Sequence, residues 1–135
     1  MKKLTILLII LLITLSACSG NSVSLEGEWT LVAYGDATNP TSALQNVETT
    51  ISFGADRKFS GTVGCNTFGG EYKVNGNEMT FSNIFSTLMF CEGISDQETM
   101  VLNILSNQTL TVEMNGNRMM LTSVDGTSLI VLEKK

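Results

Sequence analysis

The stretch from Gly61 to Tyr72 (Gly-Thr-Val-Gly-Cys-Asn-Thr-Phe-Gly-Gly-Glu-Tyr) constrains this chain more than any other. Gly61, Gly64, Gly69 and Gly70 fall within one strand-turn-strand length. Glycine weakens a strand interior unless backbone has to bend or approach other backbone closely, so a constrained corner is expected here. Cys65 in this corner has one candidate partner in the folded part, Cys91, at the end of Thr87-Leu88-Met89-Phe90-Cys91. Two cysteines in an exported domain admit a structural disulfide, two buried free thiols, or a redox-active or metal-binding pair. The disulfide is the expectation: closing a loop of about 25 residues contributes about 3 kcal/mol in the chain-entropy model, whereas two sulfurs leave a zinc site half filled.

The first residues supply the evidence for export. Lys2 and Lys3 precede an apolar run from Leu4 to Leu15, interrupted by Thr5 and Thr14, that ends in Leu15-Ser16-Ala17-Cys18. Basic, then apolar, then small is the order of a secretory signal, and a core of about 12 residues falls short of the roughly 20 a spanning helix needs. Leu15-Ser16-Ala17-Cys18 resembles the lipobox of bacterial lipoproteins, which implies cleavage before Cys18 and a diacylglyceryl group on its thiol. An ordinary secretory signal with an incidental cysteine, or an uncleaved anchor, is the plainer alternative. Two or three acyl chains, at about 0.8 kcal/mol per buried methylene, hold far more firmly than one. The expected layout is a lipoprotein signal peptide at residues 1–17, a lipidated flexible tether at 18–24, and one domain at 25–135.

The formal net charge of −5 includes Lys2 and Lys3, so cleavage makes the mature chain more acidic by both. Such a domain has no basic stripe, which excludes nucleic acid as a partner, and electrostatics does not draw it to anionic lipid.

From Leu25 the pattern is β. Trp29, Leu31 and Ala33 alternate with Thr30, Val32 and Tyr34, and a loop of turn formers follows from Gly35 to Asn46. Strands are expected at Thr49–Phe53, Lys58–Val63, Gly70–Val74 and Glu78–Phe81, the last two joined by an Asn75-Gly76 turn. Ser95-Asp96-Gln97-Glu98 has the form of a capping box, and Val101, Ile104 and Leu105 share one face, so a helix is expected over Asp96–Ser106. Strands resume at Thr109–Met114, Arg118–Ser123 and Ser128–Glu133, separated by Asn115-Gly116 and Asp125-Gly126. The last two are apolar on both faces, which places them centrally or under the helix. The fold class is mainly β (α+β), a small curled antiparallel sheet or barrel of about eight strands with one packed helix.

Histidine is absent, which removes histidine-based nucleophilic arrangements and histidine metal ligands together. Glu71 and Glu78 near the corner are expected on solvated strand faces rather than as an acid–base pair. Asn66 is expected to satisfy local backbone groups or to take a left-handed angle. Phe53, Phe59, Phe68, Phe81, Phe85, Trp29 and the methionines are expected as core, with an apolar-ligand cavity as the alternative.

These marks converge on a family. Leu25-x-Gly27-x-Trp29-x-Leu31, Gly61-x-x-Gly64-Cys65-Asn66 with Gly70-x-Tyr72, Thr87-x-Met89-x-Cys91, and Glu98 with Leu105 resemble the META domain, the family of the HslJ-type heat-shock lipoproteins. Phe90 and Glu92 depart from the alanine and proline that members often carry beside the second cysteine. The resemblance implies a compact antiparallel β-domain with one helix, exported and often lipidated, with no established catalytic activity and no cofactor. The functional expectation is a non-enzymatic envelope lipoprotein, monomeric, contributing to envelope integrity or to tolerance of heat or antibiotic stress. Binding an apolar ligand or lipid within the barrel is the rival. Ser19 after Cys18 resembles the pattern for delivery to the outer membrane, facing the periplasm, in a Gram-negative cell. Intact mass of membrane-extracted protein is expected to show loss of residues 1–17 and an acyl mass on Cys18; an unmodified chain overturns that address.

Overall fold

The structure, a computed structural model, describes residues 24–106 and 108–135. The expected signal, Cys18 and all of the tether but Ser24 therefore lie outside the described residues. The elements are β1 (Gly27–Asp36), β2 (Thr41–Ser42), β3 (Thr50–Phe53), β4 (Lys58–Thr62), β5 (Thr67–Asn75), β6 (Glu78–Ser86), α1 (Ser95–Leu105), β7 (Thr109–Asn115), β8 (Arg118–Ser123) and β9 (Ser128–Lys134). Every pairing is antiparallel, and β1 pairs with β9, so eight strands close into a barrel while β2 adds to the far end of β1.

Closure sets two poles. At one, the chain enters β1, the short turns β3–β4, β5–β6 and β7–β8 lie, and β9 ends; at the other are the loop after β1, the Val63–Asn66 corner, α1 and the β8–β9 turn. Arg57, Lys58, Lys73, Arg118, Lys134 and Lys135, the cations of the described residues, are all on the turns and strand ends of the entry pole. The α1 pole carries Asp36, Glu48, Glu92, Asp96 and Asp125, all exposed.

One aromatic cluster fills the barrel. Phe59 meets Phe81 edge-on at 5.0 Å and Phe53 meets Tyr72 edge-on at 5.2 Å, a geometry the ring quadrupoles favour. Trp29, Met79, Leu110, Met119, Leu121, Ile130 and Leu132 complete the interior, and Val101, Ile104 and Leu105 of α1 join the same core. Trp29 Nε1 donates to the Leu25 carbonyl at 2.8 Å and Tyr72 Oη to the Gly54 carbonyl at 2.8 Å, so both rings bury with their polar ends satisfied.

Two bulges change the phase that simple alternation predicts. In β1 the register slips between Leu31 and Ala33, so beyond Val32 it is Tyr34 rather than Ala33 that is buried. In β6, Asn83 and Ile84 oppose the single residue Gly70, and Asn83 takes φ 53°. A Cβ on Gly70 would sit 2.8 Å from the Ser82 carbonyl oxygen, which is why glycine is present there. The extra residue turns Ile84 inward and Phe85 outward; expected in the core, Phe85 is 69% exposed.

Smaller corrections follow the same logic. Thr67–Gly70 belongs to β5, so the corner proper is only Val63–Asn66, and β6 continues past Phe81 to Ser86. The hairpin turns are Gly76-Asn77 and Gly116-Asn117, with each glycine at φ 61° in the first turn position; the preceding asparagine still belongs to its strand. In β8 and β9 the inner row is buried and Met120, Leu129 and Val131 are half-buried, because a closed barrel has one inside.

Gly61 of β4 pairs with Ile51 of β3. A Cβ there would overlap the Thr50 carbonyl oxygen and come within 3.0 Å of Ile51 Cα, both backbone atoms that cannot move alone. Gly61→Ala is expected to cost about 1–3 kcal/mol in urea unfolding, the range for overpacking a filled core.

Candidate functional site

The corner, the segment after β6 and the start of α1 meet at one polar knot. Cys65 and Cys91 are bonded as a disulfide, Cα atoms 6.0 Å apart, joining the corner to the segment that leads into α1. Asn66, next to Cys65, presents its side-chain amide to the backbone of Met89. Oδ1 accepts from Met89 N–H at 2.7 Å and Nδ2 donates to Met89 C=O at 2.9 Å, as a neighbouring strand would. Oδ1 also accepts from Thr87 Oγ1 at 2.7 Å, and that hydroxyl in turn accepts from Thr67 N–H. Asn66 is buried, and its role is the expected satisfaction of backbone groups.

The capping box is not formed. Ile94 occupies the N-cap position without a side-chain hydrogen bond, and the Ser95 hydroxyl donates to the Cys91 carbonyl at 3.0 Å instead. Glu98 turns away from its own helix: Oε2 accepts from Cys65 N–H and Asn66 N–H, each at 3.0 Å, with the residue 6% exposed. The corner offers two adjacent amides, one buried and one partly buried, that converge on a single carboxylate oxygen. Gly64 admits this approach, since a Cβ there would overlap Ile94 and lie 3.2 Å from Glu98 Oε2.

Gln97, which received no role from the sequence, is 1% exposed; its Oε1 accepts from Leu44 N–H and its Nε2 donates to the Val63 carbonyl. A signal was present: Gln97 and Glu98 lie four and three residues before Val101, on the apolar stripe itself. Polar residues on a buried stripe have backbone to satisfy. Tyr34 lies near this end of α1, and its phenol is held above the usual value first by burial and then by the Asp96 carboxylate.

Of the remaining motif residues, Trp29 and Tyr72 are core with the hydrogen bonds given above, and Gly70 serves the bulge; none of these three enters the knot. Glu71 is exposed and accepts from Asn83 Nδ2, and Glu78 is exposed at the start of β6. The barrel interior, where an apolar ligand was the alternative, is occupied by the side chains of the core cluster. Among the described residues no group of three or more Cys, Asp or Glu is placed to hold a metal.

Comparison with known proteins agrees with this architecture. The family model described as META domain matches residues 14–135. No curated protein matches the sequence. The chain is similar to a solved protein from Burkholderia xenovorans (TM-score 0.68, 22% identity, 82% of each chain). It is also similar to a duf4847 family protein from Bacteroides vulgatus (TM-score 0.61, 16% identity, 82% of this chain and 93% of that one). At such identities the likeness is one of fold.

Glu98→Ala leaves one buried and one partly buried amide without their acceptor and is expected to cost about 2–4 kcal/mol in urea unfolding, with Glu98→Gln, which keeps an acceptor oxygen, losing less. Replacing both Cys65 and Cys91 by serine is expected to cost about 3 kcal/mol. Thiol labelling of the unreduced, denatured protein is expected to leave both cysteines unreacted.

Proposed function

The chain belongs to the META domain family, and on that premise we propose that it is a non-enzymatic lipoprotein of the bacterial envelope, contributing to envelope integrity or stress tolerance. The observation that carries this reading is the polarity of charge across the barrel. The pole at which the chain enters β1, the strand that follows the expected tether in sequence, holds all six cations of the described residues. Carboxylates such as Glu26, Asp56 and Glu133 are interspersed there, so the face is mixed, whereas the α1 pole has acids alone. A tether from Cys18 therefore directs the less repelled face toward anionic headgroups.

Absence of enzymatic chemistry is supported by the lack of histidine and by the placement of Glu71 and Glu78 on solvated faces. The knot is a fastening: Glu98 Oε2 and the Asn66 amide are taken up by backbone groups. Ser19 supports delivery to the outer membrane where the cell has two membranes.

Cys18→Ala is expected to move the protein from the membrane fraction to the soluble fraction, and to reduce survival under heat or antibiotic stress as far as deletion does. Retention of the variant on the membrane excludes lipid anchoring through Cys18. Full stress tolerance in the deletion strain excludes the proposed role.

A further inference from the structure

β6 leaves the barrel wall with one edge unpaired. β7 pairs only with Glu78–Thr80, so beyond Phe81 the edge away from β5 has no ladder partner among the described residues. The chain continues past Ser86, which pairs with Phe68, in the same alternation: Thr87 N–H donates to the Thr67 carbonyl, and Met89 pairs with the Asn66 amide. Alternate residues of an extended run direct their backbone groups to opposite edges. Thr87 and Met89 thus face the barrel and Leu88 and Phe90 face away. No described residue donates to or accepts from the N–H and C=O of Leu88 or Phe90. Their side chains are 96% and 85% exposed, and a groove of about 320 Å³ lies between this run and Ser95, Thr99 and Leu102 of α1.

We propose that the run Ser86–Phe90 is a strand-addition site that takes an extended apolar segment of a second protein, flanked by lysine or arginine. An open strand edge with apolar side chains is what such recognition uses: main-chain hydrogen bonds for affinity and side-chain contacts for selectivity. The disulfide and Asn66 already hold the run, so an added strand has little ordering left to do. The basic flanks follow from charge, because Glu92 follows the run closely in the chain, Glu98 lines the groove and this pole has no described cation. The same acidity opposes the other occupants. Lipid tails have no groups for the free N–H and C=O, anionic headgroups are repelled, and a two-fold copy would bring these carboxylates against their own kind. The site does not depend on the lipid anchor.

The test uses the full isotopically labelled chain in mild detergent, titrated with a blocked peptide of about eight residues, a central run of valines flanked on each side by lysine. The expected result is movement of the Leu88 and Phe90 amide resonances, with exchange of those amides slowed by about tenfold or more at saturation. Binding is expected to weaken about tenfold or more when the peptide is N-methylated at alternate residues, and when the protein carries Leu88→Ser with Phe90→Ser. Both positions are exposed, so an unchanged unfolding midpoint confirms that this variant folds. The proposal is overturned by no response at millimolar peptide, by a response centred elsewhere, or by equal affinity for the N-methylated peptide. It is also overturned if Leu88 and Phe90 instead insert into phosphatidylglycerol-containing vesicles, or hold a dimer that the double variant dissociates.

Discussion

Closure of the β1–β9 seam is the constraint from which the rest of the molecule follows. An eight-stranded barrel has a fixed interior, and its strands must bend to return to their starting point. Here the bending is concentrated where Val32 is inserted in β1 and where Asn83 and Ile84 oppose Gly70. Each bulge exchanges which residues face inward. The second one expels Phe85 from a core in which Phe53, Phe59, Phe68 and Phe81 pack together.

The cap at the α1 pole is secured by buried polar groups as well as by Val101, Ile104 and Leu105. Gln97 and Glu98 reach from α1 to the loop after β1 and to the corner, each meeting backbone that has no strand partner. Asn66 does the same for Met89, and the disulfide prevents the two segments from separating. Buried donors and acceptors of this kind are costly if left unpaired, so the knot specifies one arrangement. The segment it holds is left with an apolar outer face, and the acidic groups around it lie opposite the pole where the chain enters.

The sequence shows the local elements because its turn residues and periodicities act over short distances. Arg118–Ser123 is delimited on both sides by Asn-Gly and Asp-Gly, and its bounds in the structure are those expected. The helix shifts by a single residue at each end, to Ser95–Leu105. Cys65 and Cys91 were legible as a pair because the chain has only three cysteines, and the third, Cys18, lies in the lipobox-like segment. The two-residue strand Thr41–Ser42 was read as loop, since it is held only by pairing with Ala33 and Tyr34.

The side a residue faces, and the group to which a polar side chain is bound, depended on tertiary structure. Phe85 carries the same alternation as Phe81 until a bulge, set by contact with Gly70, reverses it. Glu98 satisfies a capping pattern in the chain, yet two amides from residues more than thirty positions away win its carboxylate because they are adjacent and both reach one oxygen. By itself, then, the sequence determined the β-rich fold class, the lone helix and the cysteine pair, through short-range propensity and composition. Only the closed barrel decided phase, partner and exposure, because those depend on which distant backbone groups lack water.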